Sequence, residues 1–171
     1  MEQSIGPRDW LCSVPAAVCD LMAGRTRCCR TRVGRPLTMS DGRTYVPFRH
    51  TRKEAARWSP NTQPAVLQPR FSLPFFDPHR RRLHSLFRVV CIVTTPFFVG
   101  LRGFRSKLWM VDPETGDFAG LYEWDDAGAA RAYAEGLCKV LRLLSVPGSV
   151  TYELQPGQTV DEYLDRRRQA A

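Results

Sequence analysis

Lysine is nearly missing from this chain: 25 of its 171 residues are basic, yet only Lys53, Lys107 and Lys139 are lysines. An arginine bias of this kind points to GC-rich coding rather than to a face built for phosphate. The net charge of +8 is also badly placed for nucleic acid. Residues 1–38 and 39–61 each carry a basic excess of three, residues 62–157 an excess of two, and residues 158–171 none. No nucleic-acid partner is therefore expected, since basic tails are usually solvated chain. Histidine is scarce too, with three residues, and the six cysteines form no CxxC and have no nearby His pair, so no zinc site is expected. Reduced thiols fit a cytoplasmic setting. The longest apolar run, 89–101, is broken by Thr94, Thr95, Pro96 and Gly100 and falls well short of the ~20 residues that cross a bilayer, which excludes an integral membrane segment. Glu2, Arg8, Asp9 and Asp20 argue against a signal peptide. There is no Ser-His-Asp spacing, Gly-rich phosphate loop or paired-carboxylate pattern, and hydrolase and nucleotide-dependent readings fall with them.

What is present is a strong pattern in the second half. Asp112-Pro113-Glu114-Thr115-Gly116 spells a tight turn: Pro113 presets φ, and Gly116 can take the positive φ that closes a hairpin. Strands are expected on either side, over 103–111 and 117–124. Trp124-Asp125-Asp126 is an acidic helix start, and Ala130, Tyr133, Leu137, Val140, Leu141 and Leu144 then recur on one helical stripe until Pro147-Gly148. A last strand covers 149–154, and a short terminal helix is possible over 160–168.

Upstream, alternation over 65–73 gives a first strand, with Pro69 requiring an edge or a bulge. Leu83, Leu86, Phe87, Val90, Thr94, Phe97 and Phe98 follow as a helical stripe; Pro96 should end or kink it and leave Phe97 and Phe98 in an irregular turn. The order is βαββαβ, an α+β ferredoxin-like domain over 62–157 with a four-stranded antiparallel sheet. Helices on one side leave an apolar sheet face to cover, which predicts a homodimer. Residues 1–61 lack a sustained period and read as a mostly disordered basic extension, with Tyr45-Val46-Pro47-Phe48 as a candidate arm against the domain. Met39 is a candidate second start, which would make 1–38 either an upstream translation artefact or an unstructured leader.

The stretches Gly103-Phe104-Arg105-Ser106-Lys107-Leu108-Trp109, Glu114-Thr115-Gly116, Ala119-Gly120-Leu121-Tyr122-Glu123-Trp124 and Ala130 to Ala134 resemble the YdhR-like monooxygenase family. That family belongs with the dimeric α+β barrels that include the antibiotic-biosynthesis monooxygenases. The likeness runs over roughly residues 64–157, with Pro69 a departure from it. It implies a homodimer with two sheets face to face and, in each subunit, a pocket between sheet and helices. It also implies oxygenation of a small aromatic or quinol-type molecule without metal, flavin or haem. In that chemistry the deprotonated substrate supplies the electron to oxygen, and the protein supplies shape, desolvation and a proton acceptor or anion stabiliser.

Arg70, Lys107, Trp109, Tyr122, Trp124 and Tyr152 alternate on the strands and are the candidate pocket residues. The aromatic ones serve equally well as core or interface side chains. Lys107, flanked by Ser106 and Leu108, must either pair or shift its pKa; it could hold a phenolate or superoxide-like anion, or pair with Glu123 or Glu153. His84 is the histidine that helical placement brings toward such a pocket, a surface or capping role being the competing reading. The function expected is a cofactor-independent monooxygenase; the alternative is a non-catalytic dimeric small-molecule-binding or scaffold domain.

Overall fold

The computed structural model describes residues 7–59, 62–74 and 81–170, the side chains of 7–11, 57, 81–88 and 170 excepted. In chain order the elements are α1 (Pro7–Met22), β1 (Thr26–Cys29), β2 (Leu37–Thr38), β3 (Thr44–Lys53), β4 (Ala65–Phe71), α2 (Arg81–Val99), β5 (Phe104–Val111), β6 (Phe118–Trp124), α3 (Ala127–Leu144), β7 (Thr151–Pro156) and α4 (Val160–Ala170). The sheet runs β1-β3-β5-β6-β4-β7, with β2 paired to β3. Its inner part, β5-β6-β4-β7, is the ferredoxin-like order, every pair antiparallel, with α2 joining β4 to β5 and α3 joining β6 to β7. The α+β ferredoxin-like class holds, but the sheet has seven strands rather than four.

The hairpin turn forms as its residues require. Gly116 has φ 77°, its N–H donates to the Asp112 carbonyl at 2.9 Å, and the Asp112 carboxylate accepts from Glu114 N at 2.8 Å. Asp126 caps α3 by accepting from Ala129 N at 2.8 Å. Its neighbour Asp125 instead turns inward, to Arg105.

The extra strands come from the segment expected to be disordered. In a bare βαββαβ sheet β5 would be an edge with a row of unsatisfied N–H and C=O groups. Here β3 covers that edge over Val46–Arg52, and β1 pairs in turn with β3. The arm 45–48 is thus part of a ten-residue strand. Its period is blurred by charged residues and by a register shift between Pro47 and Arg49. The proline-at-a-bulge rule applies to Pro47, not to Pro69, which sits in the interior strand β4 with its register against β7 unbroken. Opposite Pro69, Gly120 has no side chain, which leaves the ring room; a Cβ there would lie 3.4 Å from it. α1 packs on α2, where the Ser13 hydroxyl donates to the Phe97 carbonyl at 3.1 Å.

Pro96 does not end α2. It falls in the last turn, where few backbone bonds remain to lose, and Phe98 and Val99 are buried and hold that turn to the core. On α3 the buried stripe is Ala130, Tyr133, Ala134 and Cys138, while Val140 and Leu144 face outward.

Two apolar layers flank the sheet. On the helix side, Phe98, Phe104, Tyr122, Trp124 and Tyr133 form an aromatic core. On the other side, Val66, Leu108, Met110, Ala119 and Leu121 are covered by Leu37, Met39 and Tyr45 and by Val160, Tyr163 and Leu164 of α4. This is the face whose exposure argued for a homodimer, and the chain covers it itself. α4 is seated by specific polar contacts. Thr159 and Glu162 form a reciprocal capping box, Thr159 N donating to Glu162 Oε2 at 2.7 Å and Glu162 N to Thr159 Oγ1 at 3.2 Å. Val160 N donates to buried Glu123 at 3.1 Å, the Tyr163 hydroxyl donates to Gln68 at 2.9 Å, and Asp161 pairs with Arg32.

Near this layer His50 is buried, and its Nδ1 has no hydrogen-bond partner among the described residues. Burial, with the charges of Arg32 and Arg52, lowers its pKa to about 4. The unfolded chain, with an ordinary histidine near 6.5, takes up a proton that the folded state refuses. The stability from neutral His50 is therefore complete above pH ~6.5 and is lost as pH falls toward 4, by about 2–3 kcal/mol. Urea midpoints measured between pH 7 and 4 should fall less steeply in His50→Gln than in wild type; parallel curves would place the acid sensitivity elsewhere.

Candidate functional site

Alternation along β5 sends Leu108 and Met110 to the α4 side and Lys107 and Trp109 to the helix side. Across the ladder Lys107 faces Tyr122 on β6 and Thr51 on β3, while Trp109 faces Gly120 and Arg49. The tight spot is Gly120: a Cβ there would come within 2.6 Å of the Tyr122 ring, so only glycine lets that ring lie down beside Trp109. Phe98 closes the box from α2, its ring centroid 5.9 Å from Trp109 and 6.2 Å from Tyr122.

Lys107 ends inside this box. Its Nζ lies 2.8 Å from the Trp109 ring centroid and 4.4 Å from those of Phe98 and Tyr122, and the residue is 2% exposed. Neither carboxylate proposed as its partner reaches it. Glu123 points to the opposite face, where it caps α4, and Glu153 accepts from Arg70 at 2.5 Å and from Ser40 at 2.6 Å. Burial pushes the lysine pKa well below its usual range; the Cys91 thiol opposes this and Arg49 adds to it. Burial thus disfavours the charged form of the amine, while the three ring faces favour it.

Beside it, the Tyr133 hydroxyl donates to the Tyr122 hydroxyl at 3.3 Å. Burial raises both phenols, Tyr122 well above its ordinary value, so both stay protonated at neutral pH. The cluster therefore holds a desolvated amine, two protonated phenols and apolar walls: a proton acceptor and donors with water excluded. Among the described residues no group of three His, Cys, Asp or Glu is placed to hold a metal ion, and no helix is long and apolar enough to cross a membrane.

Of the residues singled out in the sequence, Lys107, Trp109 and Tyr122 come together. Trp124 lies one layer further along, against Tyr133 (4.9 Å between centroids) and Phe104 (5.7 Å), and is fully buried core. Arg70 is on the opposite face, tied to Asp41 at 2.7 Å and to Glu153. With Arg43, Tyr45, Ser72 and Asp117 it lines a polar cleft of about 320 Å³, away from the lysine box. Tyr152 stands 39% exposed on edge strand β7. His84 lies on α2 where side chains are outside the described residues. Phe98, Tyr133, Cys91 and Arg49 were not among the candidates. Phe98 and Tyr133 carried only a core signal, and Arg49 lies in a strand that the sequence pattern concealed.

No family model matches the chain, and no curated protein matches it. Among solved structures it is similar to the crystal structure of an uncharacterized ferredoxin-fold protein related to antibiotic biosynthesis monooxygenases from Listeria monocytogenes 4b F2365. The identity is 12%, the match covers 83% of this chain and 88% of that one, and the TM-score is 0.48.

Proposed function

We propose that the protein is a cofactor-independent monooxygenase acting on a small aromatic or quinol-type substrate at the box formed by Phe98, Lys107, Trp109 and Tyr122. The observation that supports this reading is the position of Lys107 Nζ, buried against three aromatic rings with no carboxylate as ion-pair partner among the described residues. A neutral amine there would take the proton of an electron-rich C–H or O–H acid, and the resulting anion would give one electron to dioxygen. Recombination forms a C–O bond as a peroxide, and loss of water leaves a carbonyl. One substrate CH2 and one O2 become C=O and H2O. Lys107 carries the proton, and the Tyr122–Tyr133 pair donates to the departing oxygen.

The test is oxygen uptake with a panel of hydroquinones and anthrols. Lys107→Met should lower the rate at least about 100-fold, the scale of a lost general base. Uptake that survives this substitution ends the role of Lys107 and, with it, this reading.

The aromatic walls around Lys107 also fit a second reading, a non-catalytic dimeric small-molecule-binding or scaffold domain. It predicts saturable binding of the same compounds, with a stability gain of about 2.7 kcal/mol at 100 times Kd under nitrogen and no oxygen uptake in air.

A further inference from the structure

We propose that Lys107 is also a carbonyl-capturing amine, condensing with a small aromatic aldehyde to an imine inside the box of Phe98, Trp109 and Tyr122. The inference rests on geometry. The amine has no carboxylate partner among the described residues, its three walls are aromatic rings, and one of them, Trp109, is only half-buried. An aromatic carbonyl compound matches the apolar chemistry of those walls, and an aldehyde offers an unprotonated amine its best partner. The other lysines differ. Lys53 is held by Asp20 at 3.1 Å and by the Val99 carbonyl at 3.3 Å, and Lys139 lies exposed on α3.

The step balances without a redox partner. The Nζ lone pair forms the C–N bond, the carbonyl π pair moves to oxygen, and a nitrogen proton passes to that oxygen to give a carbinolamine. The nitrogen lone pair then expels the hydroxyl, which leaves as water with a proton from the Tyr122–Tyr133 pair, whose hydroxyls are 3.3 Å apart. The remaining N–H proton returns to that pair. Amine and aldehyde have become imine and water. Burial lowers the amine's pKa and so favours its unprotonated, nucleophilic form. The groups that face it are Cys91 from α2, Arg49 from β3 and Tyr122 from β6, and none of them is a carboxylate.

The experiment uses the full chain under nitrogen with benzaldehyde and sodium cyanoborohydride, which reduces an imine to a stable secondary amine, followed by peptide mass mapping. With three lysines the map is unambiguous. Lys107 should be labelled about tenfold faster than the exposed Lys139 at pH 7. Trp109→Ala, which removes the half-buried ring, should accelerate Lys107 alone. Labelling of Lys107 no faster than that of Lys139, in the native chain and in Trp109→Ala alike, overturns the proposal. Because no oxygen is present, that result would leave the oxygen-uptake test untouched.

Discussion

Arg105→Met should lower the unfolding free energy by about 3–5 kcal/mol, the cost of breaking a buried charge network from one side. Arg105 is 6% exposed. Its Nε donates to Asp125 at 2.6 Å, one terminal nitrogen donates to Thr62 at 2.8 Å, and the other stands 3.6 Å from Glu123. The guanidinium also lies 4.8 Å from the centroid of the Trp58 ring, which Arg52 approaches at 5.1 Å. Methionine would fill much of the volume but strand Asp125 and Glu123 in a half-dry setting. For a chain of this size the loss corresponds to a fall in Tm of roughly 10 °C. Asp125→Asn added to Arg105→Met should cost clearly less than the sum of the two singles, because the second change removes the charge that the first left alone. Additive costs, or a single-variant loss below about 1 kcal/mol, would mean that the network is solvated and does not anchor Trp58 and Thr62.

Trp124→Ala carries the second large effect, about 3–5 kcal/mol. The residue is fully buried between Phe104 and Tyr133, and alanine would leave a cavity that neither ring can close. Trp124→Phe should cost much less. It keeps most of the ring contact and removes an indole N–H that has no partner among the described residues, so part of the lost packing is offset by relief of a buried donor. The pair of variants also separates core from site. If Trp124 is only core, Trp124→Phe leaves the affinity for aromatic compounds unchanged, whereas Trp109→Ala alters it. A loss of binding in Trp124→Phe greater than in Trp109→Ala would move the site one layer along the sheet.

Much of the fold was legible because it rests on local rules. The hairpin at 112–116 needs only a proline, an aspartate and a glycine in the right order, and the α3 start needs only Asp126 ahead of a periodic run. The N-terminal third was not legible because β3 is stabilised by an edge that it cannot encode. Its charged residues make sense only once β5 lies alongside, and its proline only once a bulge falls beside it. A short helix over 160–168 was legible in the sequence, but its capping box was not singled out and nothing local says that the helix lies on the sheet.

The candidate site divides in the same way. Alternation placed Lys107, Trp109 and Tyr122 on one face of two neighbouring strands, and that much the sequence by itself determined, together with the βαββαβ order. It placed Arg70 and Tyr152 in the same set, since period two cannot say which face of a strand meets which layer. Only the tertiary structure decided that Arg70 faces Asp41 and Glu153, that Phe98 closes the lysine box, and that α4 occupies the sheet face on which a second subunit was expected. The physical reason is that backbone preferences act over a few residues and are written in order along the chain. Burial of a lysine amine or an apolar sheet face depends on which distant segments arrive there, and that is settled by the packing of the whole.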